Sequence, residues 1–196
     1  MSRLLLAVIL CSIQINVLAE TKTAIFAGGC FWCMEKPYDE IEGVKGTISG
    51  YTGGHTENPT YKSTSTGTTG HYEALLVEYD ASKVSYKTLL DIFWKNIDPF
   101  DAHGQFCDKG PQYRAAIFSN DENEIKLAKE SKQALQEKLK DKATVVTEIL
   151  PEKKFYSAEE YHQNYYQKNP IRYKYYRYGC GRDKRLKEVN DLIHSK

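Results

Sequence analysis

Ala24-Ile25-Phe26-Ala27-Gly28-Gly29-Cys30-Phe31-Trp32-Cys33 is the stretch that decides the fold and the chemistry of this chain. Its first four residues form a short apolar run that reads as a buried strand. Two glycines follow and allow a tight turn. The residues after them, Phe31 to Glu42, read as a helix, so Cys30 stands at a helix N-terminus. Backbone N–H groups without partners and the positive end of the helix dipole favour an anion there. A thiol in that position leans toward thiolate, its nucleophilic form. The pattern therefore predicts a reactive cysteine at a strand–helix junction.

The rest of the chain reads outward from that junction. Val44 to Tyr51 is a second strand, closed by Thr52-Gly53-Gly54, and residues 55–70 form a long polar loop. Tyr72 to Tyr79 alternates around Ala74, Leu76 and Glu78 and reads as a third strand. From Ser85 to Ile97, Tyr86, Leu89, Leu90, Phe93, Trp94 and Ile97 recur at helical spacing behind a serine cap. Asp98-Pro99 ends that helix and opens a second long loop, 98–112, which carries Cys107 and Asp108. Tyr113 to Phe118 reads as a strand, Asp121 to Lys140 as an amphipathic helix and Thr144 to Leu150 as a strand. A short helix is expected over Glu159 to Gln167, irregular chain up to Gly181, and a last helix over Asp183 to Ile193. Several strands follow one another without a helix between them. The expected architecture is a single-domain α+β fold, a mixed sheet with helices on its faces.

Composition narrows the function. The chain has 196 residues, enough for one domain with a sizeable core, and 27 Lys+Arg balance 26 Asp+Glu. Such a balance gives no basis for binding nucleic acid or an anionic membrane. The run Tyr173-Lys174-Tyr175-Tyr176-Arg177-Tyr178 alternates aromatic and basic residues as a single-strand-binding surface does, but the near-zero net charge argues against that use. The first nineteen residues stand apart. Arg3 precedes the apolar stretch Leu4 to Leu10, and Val17-Leu18-Ala19 has the form of a cleavage site, so 1–19 is expected to be a secretory signal and 20–196 the exported domain. Ser12, Gln14 and Asn16 break the apolar run before it could span a bilayer. The processed chain would keep Cys30, Cys33, Cys107 and Cys180.

Three chemistries compete for Cys30 and Cys33, which share one face of a helix. A structural zinc site needs four ligands, and no second Cys-x-x-Cys follows. A thioredoxin-like dithiol has its cysteines at this spacing, usually with proline between them, whereas Phe31 and Trp32 lie between these two. A single nucleophilic cysteine would use those aromatics as an apolar wall beside the thiolate. In an oxidising compartment, a fourth possibility is a binding module whose four cysteines are all structural.

Blocks along nearly the whole processed chain decide among these. Gly-Cys-Phe-Trp-Cys-Met-Glu from 29, Ile-Ser-Gly-Tyr-Thr-Gly-Gly at 48–54, Asn-Pro-Thr-Tyr at 58–61 and Gly-His-Tyr-Glu-Ala at 70–74 come first. Phe-Trp-Lys-Asn-Ile-Asp-Pro at 93–99, Gln-Tyr-Arg-Ala-Ala-Ile at 112–117, Tyr-His-Gln-Asn-Tyr-Tyr at 161–166 and Tyr-Gly-Cys-Gly-Arg-Asp at 178–183 follow. Together they resemble the A class of peptide methionine sulfoxide reductases. The resemblance implies a two-layer, ferredoxin-like α/β roll and reduction of the S epimer of methionine sulfoxide, free or in oxidised proteins and peptides. It places the attack on Cys30, the acid on Glu73, oxygen-binding hydroxyls on Tyr61 and Tyr113, and the substrate methyl against Phe31 and Trp32. Asp108 matches an acidic position in the same pocket. Attack leaves a sulfenic acid on Cys30 that a second thiol must condense with. Comparable C-terminal cysteines do this in the family, and Cys180 lies between two glycines, while Cys33 and Cys107 remain alternatives. No metal or organic cofactor is implied, and electrons would come from thioredoxin or a similar dithiol protein. The competing activity is general thiol–disulfide exchange by Cys30 and Cys33. From pattern alone, Glu73 on its strand would face water, and His162 would serve packing.

Overall fold

The computed structural model describes residues 20–195. The expected leader, 1–19, lies outside the described residues.

The chain opens with β1 (Thr21–Gly28), turns at Gly29 and enters α1 (Phe31–Asp39). Gly29 has φ +80, and a Cβ on it would meet the Gln105 side chain at 2.6 Å, so the turn needs a glycine. Next come β2 (Val44–Thr52), the one-turn α2 (Tyr61–Thr64) and β3 (Tyr72–Asp80). α3 (Tyr86–Lys95) starts on Ser85, whose side chain accepts from the Thr88 N–H. A two-residue hairpin, β4 (Gly104–Gln105) and β5 (Asp108–Lys109), precedes β6 (Ala115–Phe118). α4 (Glu122–Leu139) is capped by Asp121 and leads to β7 (Glu148–Leu150) and β8 (Tyr156–Ser157). Three helices close the chain: α5 (Tyr165–Lys168), α6 (Pro170–Gly179) and α7 (Arg182–His194).

Six strands form one mixed sheet in the order β7-β6-β1-β3-β2-β8, with only the β6–β7 pair parallel. This is the α+β, single-domain architecture expected from the sequence. The central strands are buried on both faces. Ala24 and Phe26 of β1, with Leu75, Val77 and Tyr79 of β3, face α1, α3 and α4 through Met34, Tyr38, Leu89, Leu90, Phe93 and Ala128. Ile25, Ala27, Ala74, Ala116 and Phe118 form a smaller core on the opposite face. Each fully buried large side chain contributes about 1.5–3 kcal/mol. No helix among the described residues is long and apolar enough to cross a membrane.

The structure departs from the sequence reading in the segments that carry the site. Tyr113 belongs to a tight turn, Pro111–Tyr113, and the strand begins only at Ala115. The expected helix over Glu159 to Gln167 is split into a turn at Glu160–His162 and α5, with Asn164 left-handed between them (φ 53). The stretch before Gly181, expected to be irregular, is α6. Its start and stop signals, Pro170 at the first turn and Gly179 at the end, were present, but the crowded tyrosines hid the helical period. Cys180 therefore sits in the short joint between α6 and α7 rather than in irregular chain.

Gly50 of β2 allows β8 to close against the sheet edge. A Cβ there would meet Tyr156 O at 2.4 Å and the Phe155 ring at 2.3 Å, whereas one on Gly46 in the same strand meets nothing within 4 Å. Gly50→Ala is expected to cost about 1–3 kcal/mol in urea unfolding, and Gly46→Ala to stay within about 0.5 kcal/mol of the parent. Equal effects would remove the close approach of β8 as the reason for Gly50.

Candidate active site

Strand alternation sends Glu73 to the same face as Leu75, Val77 and Tyr79, the face covered by α1. Its side chain lies under the N-terminus of α1 and is 2% exposed. The Phe31 N–H, one of the free donors of that helix end, donates to Glu73 Oε2 at 3.2 Å. Burial pushes the Glu73 carboxyl up to about 8, against the lowering effect of that hydrogen bond. Near neutral pH the group is therefore a neutral acid. The expectation from pattern alone, that a strand glutamate faces water, is overturned by β3 being covered on both faces here.

Cys30 is the N-cap residue of α1 and is 6% exposed. Cys33 follows one turn later, and its N–H donates to Cys30 O at 3.0 Å. The two thiols are free and buried, and each shifts the titration of the other. Burial raises the Cys30 thiol well above its ordinary value, with Cys33, Glu73 and Asp108 adding to the effect. Cys33 is lowered to about 7, first by the hydrogen bond from Cys30, then by the positive charges of Arg182 and Arg177. The pair titrates as a unit. The first proton is lost from Cys33, while Cys30 stays a thiol.

A cavity of about 80 Å³ opens over these groups. It is far below the roughly 300 Å³ at which pockets begin to hold whole cofactors or drug-sized ligands. Cys30 and Glu73 lie in its wall, Phe31 and Trp32 form one side, and Tyr61, Tyr113 and Asp108 complete it. The structure thus brings together the sequence-predicted residues except Cys180. Tyr61 and Tyr113 both line the cavity, and burial raises both phenols, so they remain O–H donors. Asp108 is also raised by burial and accepts from Tyr176 Oη at 2.5 Å. A larger hollow of about 640 Å³ lies among α3, α4 and α7, but no cysteine or tyrosine lines it.

Cys180 is bonded to Cys107 in a disulfide. Cys107 is exposed, and Cys107, Cys180 and Asp108 lie within 4.8 Å of one another at their polar atoms, so the disulfide adjoins the pocket through Asp108. The thiol directly beside Cys30 is Cys33.

Several residues were missed in the sequence. Tyr176 lines the cavity between Cys30 and Asp108. It is half-buried on the face of α6 opposite the exposed Ile171, Tyr175 and Tyr178, and nothing in the sequence distinguishes it from them. Arg182, 1% exposed, donates through Nη2 to Gly28 O at 3.1 Å and Asn96 O at 2.6 Å and lies over the Phe106 ring. It fixes the Gly28–Gly29 turn from α7. His162 packs, as expected, but also holds the wall. Its Nδ1 accepts from Trp32 Nε1 at 2.9 Å, and its ring meets those of Phe31 and Tyr61. Because Nδ1 accepts, Nε2 carries the proton, and burial keeps the ring neutral.

A family model described as peptide methionine sulfoxide reductase matches residues 22–192. The peptide methionine sulfoxide reductase MsrA of Bacillus subtilis is 53% identical over 163 residues, covering 83% of this chain and 92% of that protein. Among solved structures, methionine sulfoxide reductase A of Corynebacterium diphtheriae superposes with a TM-score of 0.73 at 35% identity, covering 80% of this chain and 79% of that one. The reduced form of Mxr1 from Saccharomyces cerevisiae gives 0.72 at 34% identity, covering 78% and 88%. The chain belongs to the peptide methionine sulfoxide reductase family, in its A class, whose members are thiol-dependent oxidoreductases acting on peptide-methionine (S)-S-oxide.

Proposed function

We propose that Cys30 attacks the sulfoxide sulfur while Glu73 protonates the oxygen. The observation that carries this reading is the shared cavity, where a buried neutral carboxyl and a paired thiol face the same small volume. A sulfoxide oxygen is a poor leaving group until it is protonated. The substrate methyl rests against Phe31 and Trp32, and the oxygen is held by the Tyr61 and Tyr113 hydroxyls. As Cys30 attacks, its thiol proton passes to the Cys33 thiolate and the Glu73 proton passes to oxygen. The attack forms a bond between Cys30 Sγ and the substrate sulfur; that bond and the substrate's sulfur–oxygen bond then break as the hydroxyl moves from the substrate sulfur to Cys30. The products are the thioether of methionine, a Cys30 sulfenic acid and a Glu73 carboxylate.

Resolution follows from the thiol arrangement. Cys33 is in contact with Cys30, so it condenses with the sulfenic acid to give the Cys30–Cys33 disulfide and water. The sequence reading gave this step to Cys180. With Cys180 bonded to Cys107, that pair is better placed downstream: once reduced to a dithiol, it reduces the buried disulfide by exchange. Exposed Cys107 then meets the external reductant, which Cys30 and Cys33 are too buried to reach. Thioredoxin, or a similar dithiol protein, fits this role, and yeast Mxr1 has been solved in complex with Trx2. The clients are oxidised proteins and peptides, which makes the activity one of repair under oxidative stress. Export after cleavage near Ala19 rests on the pattern of Arg3, Leu4 to Leu10 and Val17 to Ala19.

Separated S and R epimers of a methionine sulfoxide peptide, reduced with dithiothreitol, test the assignment. The S epimer is expected to turn over, the R epimer not, and Cys30→Ser to lose activity by at least about 10³-fold. One equivalent of S epimer without reductant should yield the Cys30–Cys33 disulfide. A Cys30–Cys180 bond formed first would reverse the order of resolution, and disulfide exchange without sulfoxide reduction would favour the general oxidoreductase.

Glu73 makes a separate prediction. Wild-type turnover is expected to fall as pH rises through about 8, where the acid loses its proton. Glu73→Gln keeps a hydrogen-bond donor and should retain partial, pH-flat activity, while Glu73→Ala should lose about 10²-fold or more. Full activity in both variants would remove Glu73 from the mechanism.

A further inference from the structure

A second buried carboxyl stands on α1, and the mechanism does not use it. Glu35 is 0% exposed. It lies three residues beyond Trp32, on the helix that carries the methyl wall. Its Oε1 accepts from Ser49 Oγ at 3.0 Å and from the Asn164 N–H at 2.9 Å, and its Oε2 accepts from the Tyr165 N–H at 3.1 Å. All three donors come from distant parts of the chain, and none is a cation. The cost of burying the carboxyl is offset by these bonds, and burial still raises it to about 7.

What the carboxyl grips is the segment that shapes the wall. Asn164 is left-handed, and the N–H groups of Asn164 and Tyr165 are turned onto Glu35. On one side of this grip, Tyr165 stacks on the Trp32 indole with ring centroids 3.7 Å apart and planes 5° from parallel. On the other side, His162 takes the Trp32 Nε1–H. Between them, Gln163 accepts from the Ser49 N–H at 2.9 Å and donates to Ser49 O at 2.9 Å, as a strand partner would. The indole is thus held on its face and at its edge by residues 162 and 165, and that segment is held by Glu35.

We infer that Glu35 is a positioning residue for substrate binding: it clamps the 162–165 segment so that Tyr165 and His162 fix the Trp32 ring against the sulfoxide methyl group. The inference rests on the reading of Phe31 and Trp32 as the methyl wall. The clamp acts on the fit of the small apolar group, not on the proton or the thiol. Its loss should therefore appear in KM for the S-sulfoxide peptide before it appears in kcat. Glu35→Gln retains one carbonyl oxygen but turns an NH2 group toward a backbone N–H, so the grip on either Asn164 or Tyr165 is lost. Ser49→Ala removes only the hydroxyl donor and leaves both N–H bonds. Tyr165→Leu removes the stacked ring and leaves the clamp in place.

The test is steady-state reduction of the S-sulfoxide peptide with dithiothreitol, beside intrinsic tryptophan emission. Glu35→Gln is expected to raise KM about tenfold with kcat within about threefold, and to alter the emission of Trp32. Ser49→Ala should give a smaller rise in KM, which keeps the clamp testable if the Glu35 variant does not fold. The double variant Glu35→Gln/Tyr165→Leu should raise KM by less than the product of the two single effects, because both act in part through the same stack. A fall in kcat at unchanged KM would mark a merely structural role and overturn the inference, as would KM effects that multiply in the double variant. If Trp32→Ala leaves KM unchanged while the enzyme turns over, the wall reading fails and the clamp with it. Absence of S-epimer turnover in the parent enzyme would instead sink the reaction itself.

Discussion

The bond from the Phe31 N–H to the buried Glu73 carboxyl ties the sheet to the helix that begins at the nucleophile. Everything in the site is referred to it. β3 carries the acid, the Gly28–Gly29 turn brings α1 back over the end of that strand, and Cys30 caps the helix directly above. A free helix N-terminus would stabilise a thiolate, as the sequence suggests. Here its first donor is committed to the carboxyl, burial raises the Cys30 thiol, and the thiolate charge rests on Cys33, where Cys30, Arg182 and Arg177 favour it. In the proposed reaction, the fold thus separates the proton that goes to oxygen, on Glu73, from the base that takes the Cys30 proton, on Cys33. The arrangement has a cost. The folded pKa values of Glu73 and Glu35 lie above the unfolded carboxylate value, so their contribution to stability is complete below about 4.5 and is lost as pH rises through 7 to 8.

The cysteines divide by burial. Cys30 and Cys33 are enclosed, in contact and free, whereas the Cys107–Cys180 disulfide sits at the edge of the site with Cys107 exposed. Enclosure protects a sulfenic acid from further oxidation but also bars a protein reductant. In the proposed relay, the accessible disulfide beside Asp108 resolves that conflict by providing a separate place for electrons to enter. The α6–α7 joint, fixed by the Arg182 contacts to Gly28 O and Asn96 O, holds that entry point beside the turn that holds Cys30.

Much of this was legible in the sequence, for identifiable reasons. Short, strongly patterned elements such as β1 and α3 announced themselves through period and caps. The cavity residues were legible only through the resemblance their sequence blocks carry, since nothing local marks Tyr61 at the start of α2 or Tyr113 in the turn before β6. What failed did so where tertiary contacts override local pattern. Glu73 reads as exposed because alternation alone does not reveal that both faces of β3 are covered. α6 reads as irregular because its inward residues, Tyr173, Tyr176 and Arg177, look no more apolar than its outward ones, Ile171, Tyr175 and Tyr178. Glu35 and Arg182 carry no local signal, since each is defined by backbone groups at long range, Glu35 by those of Asn164 and Tyr165 and Arg182 by those of Gly28 and Asn96.

The central claim is that the fold keeps the Glu73 carboxyl protonated at neutral pH. The most direct measurement is a carbon-13 NMR titration of the glutamate side-chain carboxyls, with Glu73 assigned by its loss in Glu73→Gln. The account predicts a resonance that titrates with a midpoint near 8. A midpoint in the ordinary carboxylate range, near 4.5, would contradict it, because Glu73 would then be an anion without a proton to give.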